Sequence, residues 1–308
     1  MELSSHAVAA IEPEHLGNAF QKLLVAIDFS KSSSAALAYA ENLARLYGSE
    51  VLLAHVVSIV NASSPDIGAV YTAPEIGQAM AEDLEQLASQ LRRRGIQSRA
   101  ILAEGPVAEE VERIVQKEKP DLMLAGTHGA HGLERLILGS VAESILRTVS
   151  CPVLTVGPGC DDIPRKSLAL RTILYASVVR HPSESALRYA ASLARTTHAQ
   201  IDLVHVVEEI PEMPGRELDM EMQSQTDMLV DALKGSGIQV QVHHVYGEPV
   251  EAMIRQSIRN RADLIVLGVE RSRKLASLLP AGIAYRLICS AQCPVVTLKK
   301  KDGLEHRG

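Results

Sequence analysis

Asp121-Leu122-Met123-Leu124-Ala125-Gly126-Thr127-His128-Gly129, followed nine residues later by Gly139-Ser140, is the stretch on which the fold turns. The run Asp121–Ala125 is apolar beyond its first residue and reads as a parallel strand buried on both faces. A strand that ends in glycines and feeds a helix is where α/β proteins receive phosphates. Glycine lets the backbone approach an anion and leaves N–H groups free to point at it. Ser140 stands where a helix is expected to start, at Val141-Ala142-Glu143-Ser144-Ile145-Leu146, and can cap that helix or hydrogen-bond a phosphate.

Upstream, further apolar runs predict strands at Lys22–Ile27, Glu50–Val57 and Ile96–Ala103, and downstream at Val153–Val156. Helical periodicity fills the gaps. Ser32–Tyr47 lines up Leu37, Ala40, Ala44 and Tyr47 and stops at Gly48. Glu75–Arg94 lines up Ile76, Met80, Leu84, Leu87 and Leu91 and stops at Gly95, and Pro106–Lys119 ends before Pro120. Alternation of strand and helix predicts an open, doubly wound parallel sheet.

The chain then repeats itself. Asp121–Gly126 matches Asp263-Leu-Ile-Val-Leu-Gly268, Cys151-Pro152-Val153 matches Cys293-Pro294-Val295, and Gly95-Ile96-Gln97 matches Gly237-Ile238-Gln239, all at an offset of 142. Nearer the N-terminus the offset is 150, as in His55-Val56-Val57 and His205-Val206-Val207. A period this long signals duplicated domains, not a short-repeat solenoid. The expected organisation is a flexible tail over 1–18, a domain over 19–157, a linker over 158–168, a second domain over 169–300 and a tail over 301–308.

Composition narrows the function. A net charge of −6 over 308 residues argues against a general nucleic-acid binder. With no Trp and two Phe, stacking platforms for single strands are not evident. No apolar run approaches a membrane span. Residues 1–18 carry Glu2, Glu12 and Glu14 and lack the pattern of a secretory signal, so a cytoplasmic location is expected. The four cysteines show no metal-ligand spacing and read as free thiols.

The pattern G-x-x-G, nine residues, G-[S/T], placed after a strand near the end of a five-stranded α/β unit, resembles the universal stress protein family. Ala26-Ile27-Asp28-Phe29-Ser30 at the end of the first strand and Ser150-Cys151-Pro152-Val153-Leu154 at the start of the last support the resemblance. It covers nearly the whole chain, twice over. It implies two tandem five-stranded sheets of the adenine-nucleotide-binding, Rossmann-like kind. It also implies an ATP site in the first half, ADP or AMP being admissible, with Mg2+ accompanying the phosphates. By matched position, Ala26 and Asp28 would wall the nucleoside, Asp28 reaching a ribose hydroxyl, and Val56 would present its backbone to adenine. Gly126, Thr127, His128, Gly129, Ala130 and His131 would form the loop under the phosphates. Gly139, Ser140 and Val141 would hold the far phosphates. The family commonly dimerises through its last strand, which implies an internal pairing of Val153–Val156 with Val295–Leu298 that would protect two sheet edges, besides a possible homodimer.

Blander readings stand beside these. The glycines could simply make tight turns, Asp28 could cap the helix after it, and His55 and His205 could be satisfied residues at the core's edge. His128 and His131 could suggest a metal, but no third ligand is apparent nearby. The second half departs from the pattern. Gly268 keeps the first glycine, whereas Arg271 stands at the second, Ala281 at the third, Gly282 at Ser140 and Ser177 at Asp28. That half is expected to bind ATP weakly or not at all and to serve as a pseudo-dimer partner, although Arg271, Arg273 and Lys274 could attract an anion. The leading function is therefore an ATP-binding regulator of a stress response acting on an unknown protein partner. The alternatives are a slow nucleotide hydrolase or phosphotransferase, and a nucleotide-free adaptor. No G-x-x-x-x-G-K-[ST] loop and no acid pair for Mg2+ is present, so no catalytic residue is assigned. ATP pyrophosphatases, which share the fold, would need an SGGxD-type loop where Asp28-Phe29-Ser30 stands.

Overall fold

The computed structural model describes residues 20–58, 73–127, 138–160, 169–177, 183–207, 226–269 and 282–299. Contacts divide the chain into two compact units, one over Phe20–Leu168 and one built on the residues from Ala169 onward. The first contains β1 (Lys22–Ala26), α1 (Lys31–Tyr47), β2 (Glu50–Val57), α2 (Ala73–Arg93), β3 (Ser98–Glu104), α3 (Val107–Glu118), β4 (Leu122–Gly126), α4 (Ser140–Thr148) and β5 (Val153–Val156). Its strands lie in the order β3-β2-β1-β4-β5 and pair in parallel. The second repeats the plan with β6 (Thr172–Ser177), α5 (Glu184–Thr197), β7 (Gln200–Val207), α6 (226–235), β8 (Val240–Tyr246), α7 (Pro249–Arg259), β9 (Leu264–Val269), α8 (Ile283–Ser290) and β10 (Val295–Lys299). Its order is β8-β7-β6-β9-β10, again parallel. The expected α/β class with a doubly wound parallel sheet in each half is what the chain adopts.

Burial explains the apolar runs. Leu23, Leu24, Leu52, Leu53, Met123 and Leu124 are wholly excluded from solvent, because helices cover both faces of the central strands. The buried face of α1 centres on Ala36, Ala40, Leu43 and Ala44. It is rotated slightly from the expected one, leaving Leu37 and Tyr47 half-buried at its margin. On α2 the buried residues are Leu84, Ala88 and Leu91, with Leu87 half-buried. The side chain of Ile76 lies outside the described residues.

The repeated motifs have identical local jobs. Asp121 Oδ2 accepts the N–H groups of Gln21 and Lys22 at 2.9 and 2.7 Å, tying the start of β1 to the start of β4. Asp263 Oδ2 accepts from Arg171 and Thr172 at 2.8 and 2.9 Å in the second unit. Gly95 (φ 82°) and Gly237 (φ 76°) end the second helix of each unit in the left-handed conformation. In each case the glycine N–H and the next residue's N–H bond back, Gly95 to Arg92 and Ile96 to Leu91, Gly237 to Lys234 and Ile238 to Leu233. This explains why β3 begins at Ser98 and not at the expected Ile96: the Ile96 N–H is spent on the helix end.

Gly126 has a packing role, which its place in the sequence does not distinguish from the expected contact with a ligand. A Cβ there would lie 2.5 Å from both the carbonyl carbon and the Oγ of Ser32, in the first turn of α1. At Gly268 the added atom would overlap Cβ and Oγ of Ser183, the N-cap of α5. Both units therefore need a glycine where the fourth strand passes under the first helix, whether or not a phosphate binds.

Two stability outcomes follow. Asp121→Ala orphans two backbone donors and should cost about 1–3 kcal/mol in the first unit, with Asp263→Ala costing as much in the second. Gly126→Ala and Gly268→Ala should each destabilise their unit by about 1–3 kcal/mol through overpacking. Chemical denaturation checks both; an unchanged midpoint for either glycine variant would refute the packing role.

Candidate functional site

In the strand order β3-β2-β1-β4-β5, the chain reverses direction across the sheet between β1 and β4, and the carboxyl ends of those strands open a crevice. Ile27 still donates to Ala54 O at 2.8 Å, and the chain then leaves the sheet. Asp28 Oδ1 accepts the Ser30 N–H at 3.0 Å, a side-chain turn that steers the backbone into α1. Between them Phe29 sits at φ 61°, a left-handed conformation that costs a non-glycine residue free energy. The N-cap of α1 is Ser30, whose Oγ accepts from Ser33 N–H at 3.1 Å. Asp28 is therefore not the cap; it shapes the turn before it. Its carboxylate is exposed, and its second oxygen bonds to no described residue.

Side chains alternate across a strand, so Ala26, Val56 and Ala103 share the face that α3 and α4 cover further down. All three are half-buried, resting on a core that includes Leu24, Leu52, Ala54 and Met123. Together they make an apolar floor at the strand ends, with the exposed Asp28 beside it. Ala103 was not among the expected residues; its signal is the alternation along β3, which pairs it with Val56. On the opposite face His55 Nδ1 lies 2.7 Å from Ile27 O, so the ring donates its Nδ1 proton there. The Phe29 ring tilts over it at 5.1 Å. His55 is thus a satisfied residue at the core's edge.

The end of β4 and the start of α4 are clasped. Thr127 is buried, and its carbonyl accepts the Gly139 N–H at 2.8 Å. Gly139, with φ −60° and ψ 147°, is the N-cap of α4 and makes no side-chain cap. Ser140 is the first helical residue, which corrects its expected capping role; its hydroxyl is exposed. Glu143 N–H is the first to bond back, to Gly139 O at 2.9 Å. The N–H groups of Ser140, Val141 and Ala142 therefore have no intrahelical acceptor, and they form the anion-favouring end of the helix. Glu143 brings an acidic group to this turn, but Arg147 pairs with it. His128, Gly129, Ala130 and His131 lie outside the described residues, so the structure places eight of the twelve expected site residues, all at this edge of the sheet.

The second unit differs at the same level. Ala176 and Val206, which correspond to Ala26 and Val56, are each 3% exposed. Gly282, with φ −70° and ψ 149°, caps α8 as Gly139 caps α4, and Ile283 occupies the position of Ser140. The matched offset at this cap is thus 143 rather than 142, so the glycine of the third position is retained and not replaced by Ala281. Arg271, Arg273, Lys274 and Ala281 lie outside the described residues, as does the side chain of Ser177. His205 is buried beside His244; burial first, and the neighbouring imidazole second, hold its pKa below the ordinary histidine value. Among the described residues no group of three or more His, Cys, Asp or Glu is placed to hold a metal, and no helix is long and apolar enough to cross a membrane.

Comparison with known proteins agrees with this geometry. The universal stress protein family model matches residues 19–157 and again 170–299. The chain is 32% identical over 145 residues to the universal stress protein MJ0531 of Methanocaldococcus jannaschii, covering 45% of this chain and 83% of that one. A universal stress protein of Mycolicibacterium smegmatis matches end to end, 24% identical over 291 residues, 91% of this chain and 97% of that one. Among solved structures, a universal stress protein from Archaeoglobus fulgidus superposes with a TM-score of 0.72 at 22% identity, over 91% of this chain and 98% of that chain, a likeness of fold. With its two halves each matched by the family model, the chain belongs to the universal stress protein family and carries two of its domains in tandem.

Proposed function

We propose that the first unit binds an adenine nucleotide across the carboxyl ends of β1, β2 and β4, and that its occupancy regulates a protein partner in a stress response. The observation that carries this reading is the contrast between the two units. The floor of Ala26, Val56 and Ala103 is half-open in the first, whereas Ala176 and Val206 are closed off in the second. An apolar floor with a few convergent polar groups is the usual form of a nucleoside site. Adenine lies on that floor against the Val56 backbone, and the free oxygen of Asp28 takes a ribose hydroxyl. The phosphates run toward the uncapped N–H groups of Ser140 and Val141, with His128-Gly129-Ala130-His131 as the loop beneath them. Gly139 lends no N–H to them, because Thr127 already takes it. Gly126 makes room for Ser32, so close approach to phosphate falls to Gly129. Mg2+, if carried, is held chiefly by the phosphates and water, in keeping with its reluctance to dehydrate.

In this proposal the second unit, over 169–300, is the structural partner of the first, over 19–157, and pairing of Val153–Val156 with Val295–Leu298 belongs to it. The protein works in the cytoplasm as a binder rather than a catalyst. Steady multiple turnover of ATP, lost on His128→Ala, would replace this with the hydrolase reading.

Calorimetric titration of the nucleotide-stripped chain with Mg-ATP should give one site per chain, lost on Gly129→Arg, which copies the second half. Absence of binding at millimolar ATP would overturn the proposal in favour of an adaptor. Asp28→Asn keeps an acceptor for the Ser30 N–H while removing the charge. It should weaken ATP about tenfold, the worth of a charge-assisted hydrogen bond, with the unfolding midpoint unmoved.

A further inference from the structure

Among the described residues, the sheet of the second unit ends in β8, which pairs with β7 alone. Ile201 N–H donates to Gln239 O at 2.8 Å. In a parallel ladder a residue bonds to two partners two positions apart. The odd-numbered residues around β8 therefore face β7, and Val240, Val242, His244 and Tyr246 turn their N–H and C=O groups outward. This strand, VQVHHVY, contains no Lys, Arg, Asp, Glu, Pro or Gly. Its counterpart β3 is defended. Arg99 there pairs with Glu50 at 3.2 Å and with Glu118, and Glu104 closes the strand. Charges of this kind discourage strand addition, and β8 lacks them.

The helices on either side of β8 in sequence are polarised along it. The first turn of α6 carries Asp227 and its last turn Lys234, while α7 begins at Glu248 and Glu251, which pair with Arg286 and Arg255, and ends at Arg259. Both run antiparallel to β8, so the acidic ends lie at the strand's carboxyl end and the basic ends at its amino end. Two copies related by a two-fold axis, with their β8 strands antiparallel, set acid against base at both ends. A parallel arrangement would set like against like.

We propose that β8 is a self-association edge, to which a second copy of this chain adds its own β8 antiparallel. With Val240 opposite Tyr246 and Val242 opposite His244, His243 falls on the axis. This register overlaps all seven residues of the strand and faces outward donors with outward acceptors. It also covers Tyr246, which is 60% exposed in the single chain. The contact uses neither the nucleotide crevice nor the last strand of either unit, so it stands or falls apart from the proposed function.

Sedimentation equilibrium of the full chain without nucleotide, at micromolar concentrations, tests it. The wild-type chain should sediment as a dimer. Val242→Pro removes an outward donor, leaves the ladder to β7 intact and should be monomeric with an unchanged circular dichroism spectrum. His244→Lys places a cation on the edge and should weaken the dimer by about tenfold or more. A monomeric wild type, or a dimer that survives Val242→Pro, overturns the proposal. Should Val242→Pro fail to fold, an undiminished dimer in His244→Lys overturns it instead.

Discussion

Where β4 ends, its backbone passes so near the first turn of α1 that one added methyl group at Gly126 would overlap Ser32. Continued past Val25 opposite Leu124, the β1–β4 register puts Thr127 level with Asp28. The turn that delivers α1 to this position is itself specified in detail. Asp28 accepts from Ser30, Phe29 adopts a left-handed φ, and Ser30 caps the helix. Each of these devices tolerates a narrow set of residues. Together they explain why a short polar stretch can hold a carboxylate open to solvent beside an apolar floor.

The two units show which parts of this design are scaffold. The paired carboxylates of Asp121 and Asp263, the left-handed glycines 95 and 237, the glycines beneath the first helices and the glycine caps of α4 and α8 recur in both. They solve problems of chain direction and close packing that arise in either half. The polar chemistry diverges instead. Asp202, wholly buried, stands where the first unit has Leu52. It is satisfied by Asn260 Nδ2 at 2.6 Å and by Gln200 Nε2 at 3.3 Å. A buried carboxylate needs such partners, and the second unit supplies them within the space that an aliphatic core fills in the first.

Much of the fold is legible in the sequence because parallel strands buried on both faces are continuous apolar runs and the helices between them carry strong stops. The ranges of β2 and β5 are those expected from the apolar runs. Errors fall where hydrogen bonds decide the boundary. Ile96 looks like a strand residue but gives its N–H to a helix end, and Ser140 looks like a cap although Gly139 performs that role without a side chain. The site was harder to read for the same reason. Gly126 has one signature for two causes, close packing and close approach to a ligand, and no spacing rule separates them. Ala103 and the turn at Phe29 become visible only once neighbouring strands and backbone angles are known.

The bond from Gly139 N–H to Thr127 O closes the segment 128–138 at its base. Because the cost of closing a loop grows only with the logarithm of its length, roughly 0.6 kcal/mol per doubling, that segment can change length or composition at little expense to the folded unit. Natural variation can therefore alter that segment while selection on folding acts elsewhere. Gene duplication gains particular latitude from this arrangement: one copy is free to lose residues of that segment, or to acquire new ones, without first becoming unstable.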